Sequence, residues 1–233
     1  MTETKTDTVR ETSCWSCGTG TEAAPFCPAC GKIQPLPVGA DYFSVFGLPR
    51  KLVLDTAELE RKFHELSWRL HPDRFAQASP QERRFSLDRS SLLNDAYRTL
   101  RDPVRRAEYL LWLAGRRKEG QSKQQAPPEL LEEVFELNES LDELRVARQA
   151  GGDGSTMAAL QQRLEAEQRK FAAMLSELDA ELMAVAAEWD CALQANADAA
   201  ACERLLERMN EILNRRSYIR NLVNNVQQEL AAV

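Results

Sequence analysis

Beyond Pro128 the large apolar residues recur at steps of three and four almost to the last residue, and that periodicity leaves little choice of architecture. Leu130, Val134, Leu137, Leu141 and Leu144 form one stripe, and Leu160, Leu164, Phe171, Leu175, Leu178, Leu182, Val185 and Trp189 a second. Leu205, Met209, Ile212, Ile219, Val223, Val226 and Leu230 form a third. Such steps place each set on one face of a helix, and three apolar faces close into a bundle, predicted over residues 129–233. The GGDGS run at 151–155 reads as the turn between the first two helices. No stretch in this half alternates with a period of two for long enough to require a strand.

The preceding block, 41–114, carries the same period in shorter pieces. Leu59, Phe63, Leu66 and Leu70 follow Asp55 and Glu58, which stand at capping-box separation. This helix must stop near His71, because Pro72 disfavours helical geometry in the residue before it. A second helix starts where Ser79 suits the N-cap, Pro80 the first helical position and Glu82 the return leg of a capping box. Its stripe is Phe85, Leu92, Leu93, Ala96, Tyr97 and Leu100. The two predict an antiparallel helical hairpin with His71-Pro72-Asp73 at the start of its loop. Pro103 opens a further short helix through Tyr109, Leu110 and Leu113, and the polar run 115–128 reads as a linker.

Residues 1–40 have no helical period and close on a stiff Pro35-Leu36-Pro37 connector. Within them stand Cys14-Trp15-Ser16-Cys17-Gly18 and Cys27-Pro28-Ala29-Cys30-Gly31. In a C-x-x-C-G unit the glycine lets backbone N–H groups turn toward the thiolates, and two such units supply four sulphurs for a tetrahedral ion. Zinc is the expected metal, iron its competitor in the same geometry, and disulfides the alternative outside a reducing compartment. With Cys14, Cys17, Cys27 and Cys30 all engaged, no coordination position stays open and the site is structural. Cys191 and Cys202 fall in helical context and read as small core residues.

Charge and composition narrow the function. Basic residues number three against four acidic ones in 1–40, 16 against 11 in 41–118, and 11 against 21 in 119–233. A basic middle before a strongly acidic end argues against a nucleic-acid binder, which needs one sustained basic surface, and suggests two partners for two domains. With only two histidines, His64 and His71, the chain offers no multi-histidine metal site and little to a hydrolase triad. No apolar run is longer than Tyr109 to Ala114, far below the roughly 20 residues of a membrane span. The first dozen residues mix acids with bases and read as neither a secretory signal nor an import peptide, so a cytoplasmic location is expected.

An amphipathic helix bearing Arg61, Lys62 and Arg69, followed by His71-Pro72-Asp73 and an antiparallel partner, resembles a J-domain, the module that docks on a DnaK-type chaperone and triggers its ATPase. The plain alternative is that His71 and Pro72 only end the helix. Further stretches, Asp41-Tyr42-Phe43-Ser44-Val45-Phe46-Gly47-Leu48, Asn94-Asp95-Ala96-Tyr97-Arg98-Thr99-Leu100 and Arg106-Ala107-Glu108-Tyr109-Leu110-Leu111, look like the HscB family of co-chaperones for iron-sulphur cluster assembly. The likeness runs through the bundle from Leu130 to Glu139, and the cysteine knuckles resemble those of metazoan members. It implies an all-α protein without an enzymatic reaction of its own: a knuckle module at 1–40, a J-domain at 41–114, a linker, and a bundle at 129–233. His71, Pro72, Asp73, Arg61, Lys62, Arg69 and Arg74 would face an HscA- or DnaK-type chaperone. Leu131, Phe135, Glu136, Glu139, Glu143 and Phe171 would bind an IscU-type scaffold, although Glu132 stands where related sequences carry a large apolar residue, and Phe135 by its spacing alone also suits a core. A general co-chaperone for unfolded clients, and a metal or redox protein centred on the cysteines, are the rival readings.

Overall fold

Several helix starts in this chain are set by side-chain caps, and each expected cap has a structural outcome. The computed structural model describes residues 13–117, 130–151 and 153–231. Among these, seven α-helices follow in order: α1 Tyr42–Val45, α2 Thr56–Leu70, α3 Pro80–Leu100, α4 Pro103–Leu113, α5 Leu131–Gln149, α6 Gly154–Gln194 and α7 Ala199–Ala231. A 3-10 turn, Pro72–Phe75, lies between α2 and α3, and the only β pairing among the described residues is two isolated bridges. The Ser79–Glu82 capping box forms as expected. Asp55 caps α2 by accepting from the Ala57 and Glu58 N–H groups, but no return leg from Glu58 accompanies it. The Glu58 carboxylate faces Lys62 at 3.4 Å and Arg61 at 4.0 Å instead. The turn expected at 151–155 is shorter, because Asp153 caps α6 and draws Gly154 and Ser155 into its first turn.

The described residues pack as two compact units. The first holds residues up to Arg50 together with Leu54–Asp102. There α2 and α3 run antiparallel: Phe63 stacks on Tyr97 with ring centroids 4.1 Å apart, while Ser86 and Ser90, one turn apart on α3, donate to the Leu70 carbonyl at the end of α2. Those two hydroxyls satisfy an acceptor that the helix end leaves free.

The second unit holds Lys51–Val53 and Pro103 onward. The helix α4, which contiguity assigns to the 41–114 block, packs on α6 and α7, so the packing boundary falls at Asp102. Its Ala107, Leu110 and Leu111 join one apolar core with Leu137, Leu141 and Leu144 of α5, Phe171 and Leu182 of α6, and Met209 and Ile219 of α7. The long helices α6 and α7 meet through a short turn in which Asn196 takes φ +48°, a conformation asparagine tolerates. Asp190 of α6 accepts from the Leu52 and Val53 N–H groups at 2.7 and 2.9 Å, fixing that segment to the unit. Cys202 is half-buried against this core, but Cys191 is exposed, which corrects its expected core placement. The linker expected at 115–128 lies, from residue 118 on, outside the described residues. Among the described residues no helix is long and apolar enough to cross a membrane.

Candidate functional site

His71 is the residue where helical geometry ends: its φ of −57° and ψ of 130° are the extended values that Pro72 imposes. Its Nδ1 accepts from the Asp73 N–H at 3.3 Å, and the Arg74 N–H donates to the His71 carbonyl at 3.0 Å, so the turn is braced from within. His71, Asp73 and Arg74 are exposed and Pro72 is half-buried. The Arg74 guanidinium lies 3.8 Å over the Trp68 ring. Trp68 itself is 64% exposed, a large aromatic surface beside the His-Pro-Asp turn that sequence spacing did not single out. Arg69 is exposed and its guanidinium lies 4.8 Å over Phe26. The structure thus gathers Arg69, His71, Asp73 and Arg74 at one end of the hairpin. Arg61 and Lys62 lie two turns back on α2, their charge offset by Glu58.

The cysteines form a second constellation in the same unit. Each knuckle closes in the same way: Gly18 N–H donates to Cys14 C=O and Gly31 N–H to Cys27 C=O, while Cys14 N–H donates to Thr19 C=O and Cys27 N–H to Lys32 C=O. Gly18 and Gly31 take φ of +77° and +70°, where a side chain is strained. The four sulphurs lie within 4.8 Å of one another, with Cys14–Cys30 at 3.7 Å and Cys17–Cys27 at 3.6 Å. Zinc-bound sulphurs, about 2.3 Å from the metal, stand about 3.8 Å apart in a tetrahedron, so the four fit that ion, whereas a disulfide needs about 2.05 Å. Burial pushes the Cys14 thiol up, but the N–H groups of Cys17 and Ser16 and the neighbouring thiols outweigh it and bring it down to about 6. At Cys30 the Lys32 N–H lowers the value, yet burial and the other three thiols win and push it up to about 11. Four thiolates at this spacing need a cation among them. Such an ion would be held by Cys14, Cys17, Cys27 and Cys30 and would supply structural cross-linking.

The third constellation is on α5. Leu137, Ser140, Leu141 and Leu144 are buried, which turns Leu131 and Phe135 outward, 56% and 70% exposed. At about 100° per residue, Glu132, Glu136, Glu139 and Glu143 make a strip alongside these two, and all four are exposed. The local departure at Glu132 therefore extends an acidic strip. A groove of about 750 Å³ runs between Phe135, Glu139, Asp142, Glu143 and Val146 of α5 and Thr156 and Leu160 of α6. Leu131 and Glu136 are not among its lining residues. Phe171 is fully buried, and this corrects its assignment to the surface: its seven-residue spacing from Leu164 and Leu178 is the signal that it belongs to the core.

Comparison with known proteins follows the same division. Residues 41–109 match the DnaJ domain family. The human iron-sulfur cluster co-chaperone protein HscB is 35% identical over 162 residues, covering 68% of this chain and 66% of the human protein. The co-chaperone protein HscB homolog of Bordetella pertussis is 39% identical over 138 residues, 59% of this chain and 78% of that one. The crystal structure of human co-chaperone protein HscB matches with a TM-score of 0.61 at 28% identity, covering 95% of this chain and 100% of that chain. Chaperone HscB from Vibrio cholerae matches with a TM-score of 0.52 at 30% identity over 81% and 96%.

Proposed function

Because the chain belongs to the HscB family of J-domain co-chaperones, we propose that it joins two partners, an HscA- or DnaK-type chaperone and an IscU-type iron-sulphur scaffold. The observation that carries this reading is that the two exposed constellations belong to different packing units. His71, Pro72, Asp73, Arg69 and Arg74 serve the chaperone, with Asp73 meeting a cation on it and Arg61 and Lys62 adding to long-range attraction. Leu131 and Phe135 supply the apolar centre for the scaffold, and Glu136, Glu139 and Glu143 its charged rim. Tethering raises the local concentration of scaffold at the chaperone and so couples ATP hydrolysis to cluster transfer. The protein needs no turnover of its own for this, acts in the cytoplasm, and holds structural zinc on its four cysteines.

The test is steady-state ATP hydrolysis by the chaperone with scaffold alone, with this protein alone, with both, and with scaffold plus the His71→Gln variant of this protein. Synergy that disappears in His71→Gln supports the reading. Equal stimulation with and without scaffold favours a general co-chaperone for unfolded clients, and no stimulation in any mixture overturns the J-domain role.

A further inference from the structure

The tetracysteine module and the helical hairpin share one packing unit, and the contacts between them converge on one end of the hairpin. From the first knuckle, the Trp15 indole meets Phe85 edge-on at 6.2 Å between centroids, and its N–H donates to the Ile33 carbonyl at 2.7 Å. From the second, Lys32 Nζ lies 2.8 Å from Glu82, the residue that completes the α3 capping box, and Phe26 lies under Arg69. From the connector, the Gln34 and Pro35 carbonyls each accept from the buried Arg89 at 2.7 Å. The module thus grips the last turn of α2 and the first turns of α3, the two segments that flank His71-Pro72-Asp73.

Its grip depends on the knuckles. Phe26 directly precedes Cys27, Lys32 directly follows Gly31, and both are fixed by the backbone ring of the second knuckle, in which Cys27 N–H donates to the Lys32 carbonyl at 2.9 Å. Among the described residues of the module, the buried apolar ones are Cys14, Cys27 and Ile33, too few to hold that ring without a cross-link.

We infer that the metal-loaded module is a brace for the chaperone-facing end of the J-domain, with Phe26 and Lys32 as positioning residues for Arg69 and for the start of α3. A pre-set Arg69 and turn reduce the ordering cost of docking. The effect on docking rests on the chaperone partnership proposed above; the effect on the hairpin does not.

The test is hydrogen exchange on the full chain, zinc-loaded and chelator-stripped, with cysteine alkylation to verify that the stripped sites are empty. Stripping is expected to speed exchange over residues 66–90 by roughly ten-fold while α5–α7 stay unchanged. In zinc-loaded protein of verified metal content, Phe26→Leu weakens the chaperone by roughly three-fold, and Phe26→Tyr, which keeps the ring, does not. Lys32→Ala speeds exchange in the first turn of α3. Unchanged exchange over 66–90 after stripping overturns the brace, as does Phe26→Leu with full zinc and full affinity. His71→Gln with undiminished stimulation overturns the co-chaperone reading instead, and the exchange result then still decides the brace.

Discussion

Phe135 and Phe171 stand on neighbouring amphipathic helices, yet truncating them has opposite consequences. Phe171→Ala opens a cavity in a closed core and is expected to cost about 3–5 kcal/mol in urea unfolding, with scaffold binding lost only as the fold is lost. Phe135→Ala changes stability by less than about 0.5 kcal/mol, because the ring is exposed, but as the proposed apolar anchor its loss is expected to weaken scaffold binding by roughly 30-fold in a titration. Arg89 shows what sequence reading left unused. It stands four residues after Phe85 and four before Leu93, within the apolar stripe of α3, where burial pulls its guanidinium down to about 10 and leaves it still protonated at neutral pH. A charge in such a stripe signals a buried acceptor, but the acceptors are main-chain carbonyls some 55 residues away, which no side-chain pattern reveals. Arg89→Met removes both donors and is expected to lower the stability of this unit by about 2 kcal/mol, read by denaturation with zinc content held constant.

At the scale of the element, caps were the legible feature and their reciprocity was not. Ser79 and Asp55 were each placed correctly as N-caps by residue type and spacing, but Glu58 stands beside Lys62 and Arg61 one turn on, a competition that a three-residue motif omits. The caps also carry pH dependence. The Ser155 hydroxyl and Thr156 N–H hold the Asp153 carboxyl down at about 2, and Lys32, with Ser79, holds Glu82 below its ordinary value. Both values are depressed on folding, so the stabilisation is complete above the unfolded carboxyl values near 4 and is lost as pH falls through the folded ones. For Asp153 the window runs from about 4 to about 2. The first turn of α6 is therefore expected to fray over that range and not between pH 5 and 8, followed by the Thr156 amide in an acid titration. Asp153→Asn keeps a capping oxygen and abolishes the titration.

For the whole molecule, charge and periodicity divided the chain into a 1–40 module, a 41–114 block and a 129–233 bundle, but did not show which pieces pack together: residues 13–40 join the unit of the hairpin, and α4 joins the other. Ala107, Leu110 and Leu111 make a short stripe that suits any apolar face, and only the packing shows that this face belongs to α6 and α7. A fragment beginning at residue 116 loses those contacts and the Lys51–Val53 segment, and one beginning at Asp102 loses only the segment. The shorter fragment is expected to be less stable by about 3–6 kcal/mol, the value of burying two leucines, in chemical denaturation. The segment itself sets a clock on biosynthesis. Leu52 leaves the ribosome 138 residues ahead of Asp190, the side chain that accepts its N–H. At about 5–20 residues per second, that is an interval of roughly 7–28 s. Through that interval the nascent hairpin can close, but the three residues just ahead of it wait for a carboxylate that has not yet been translated.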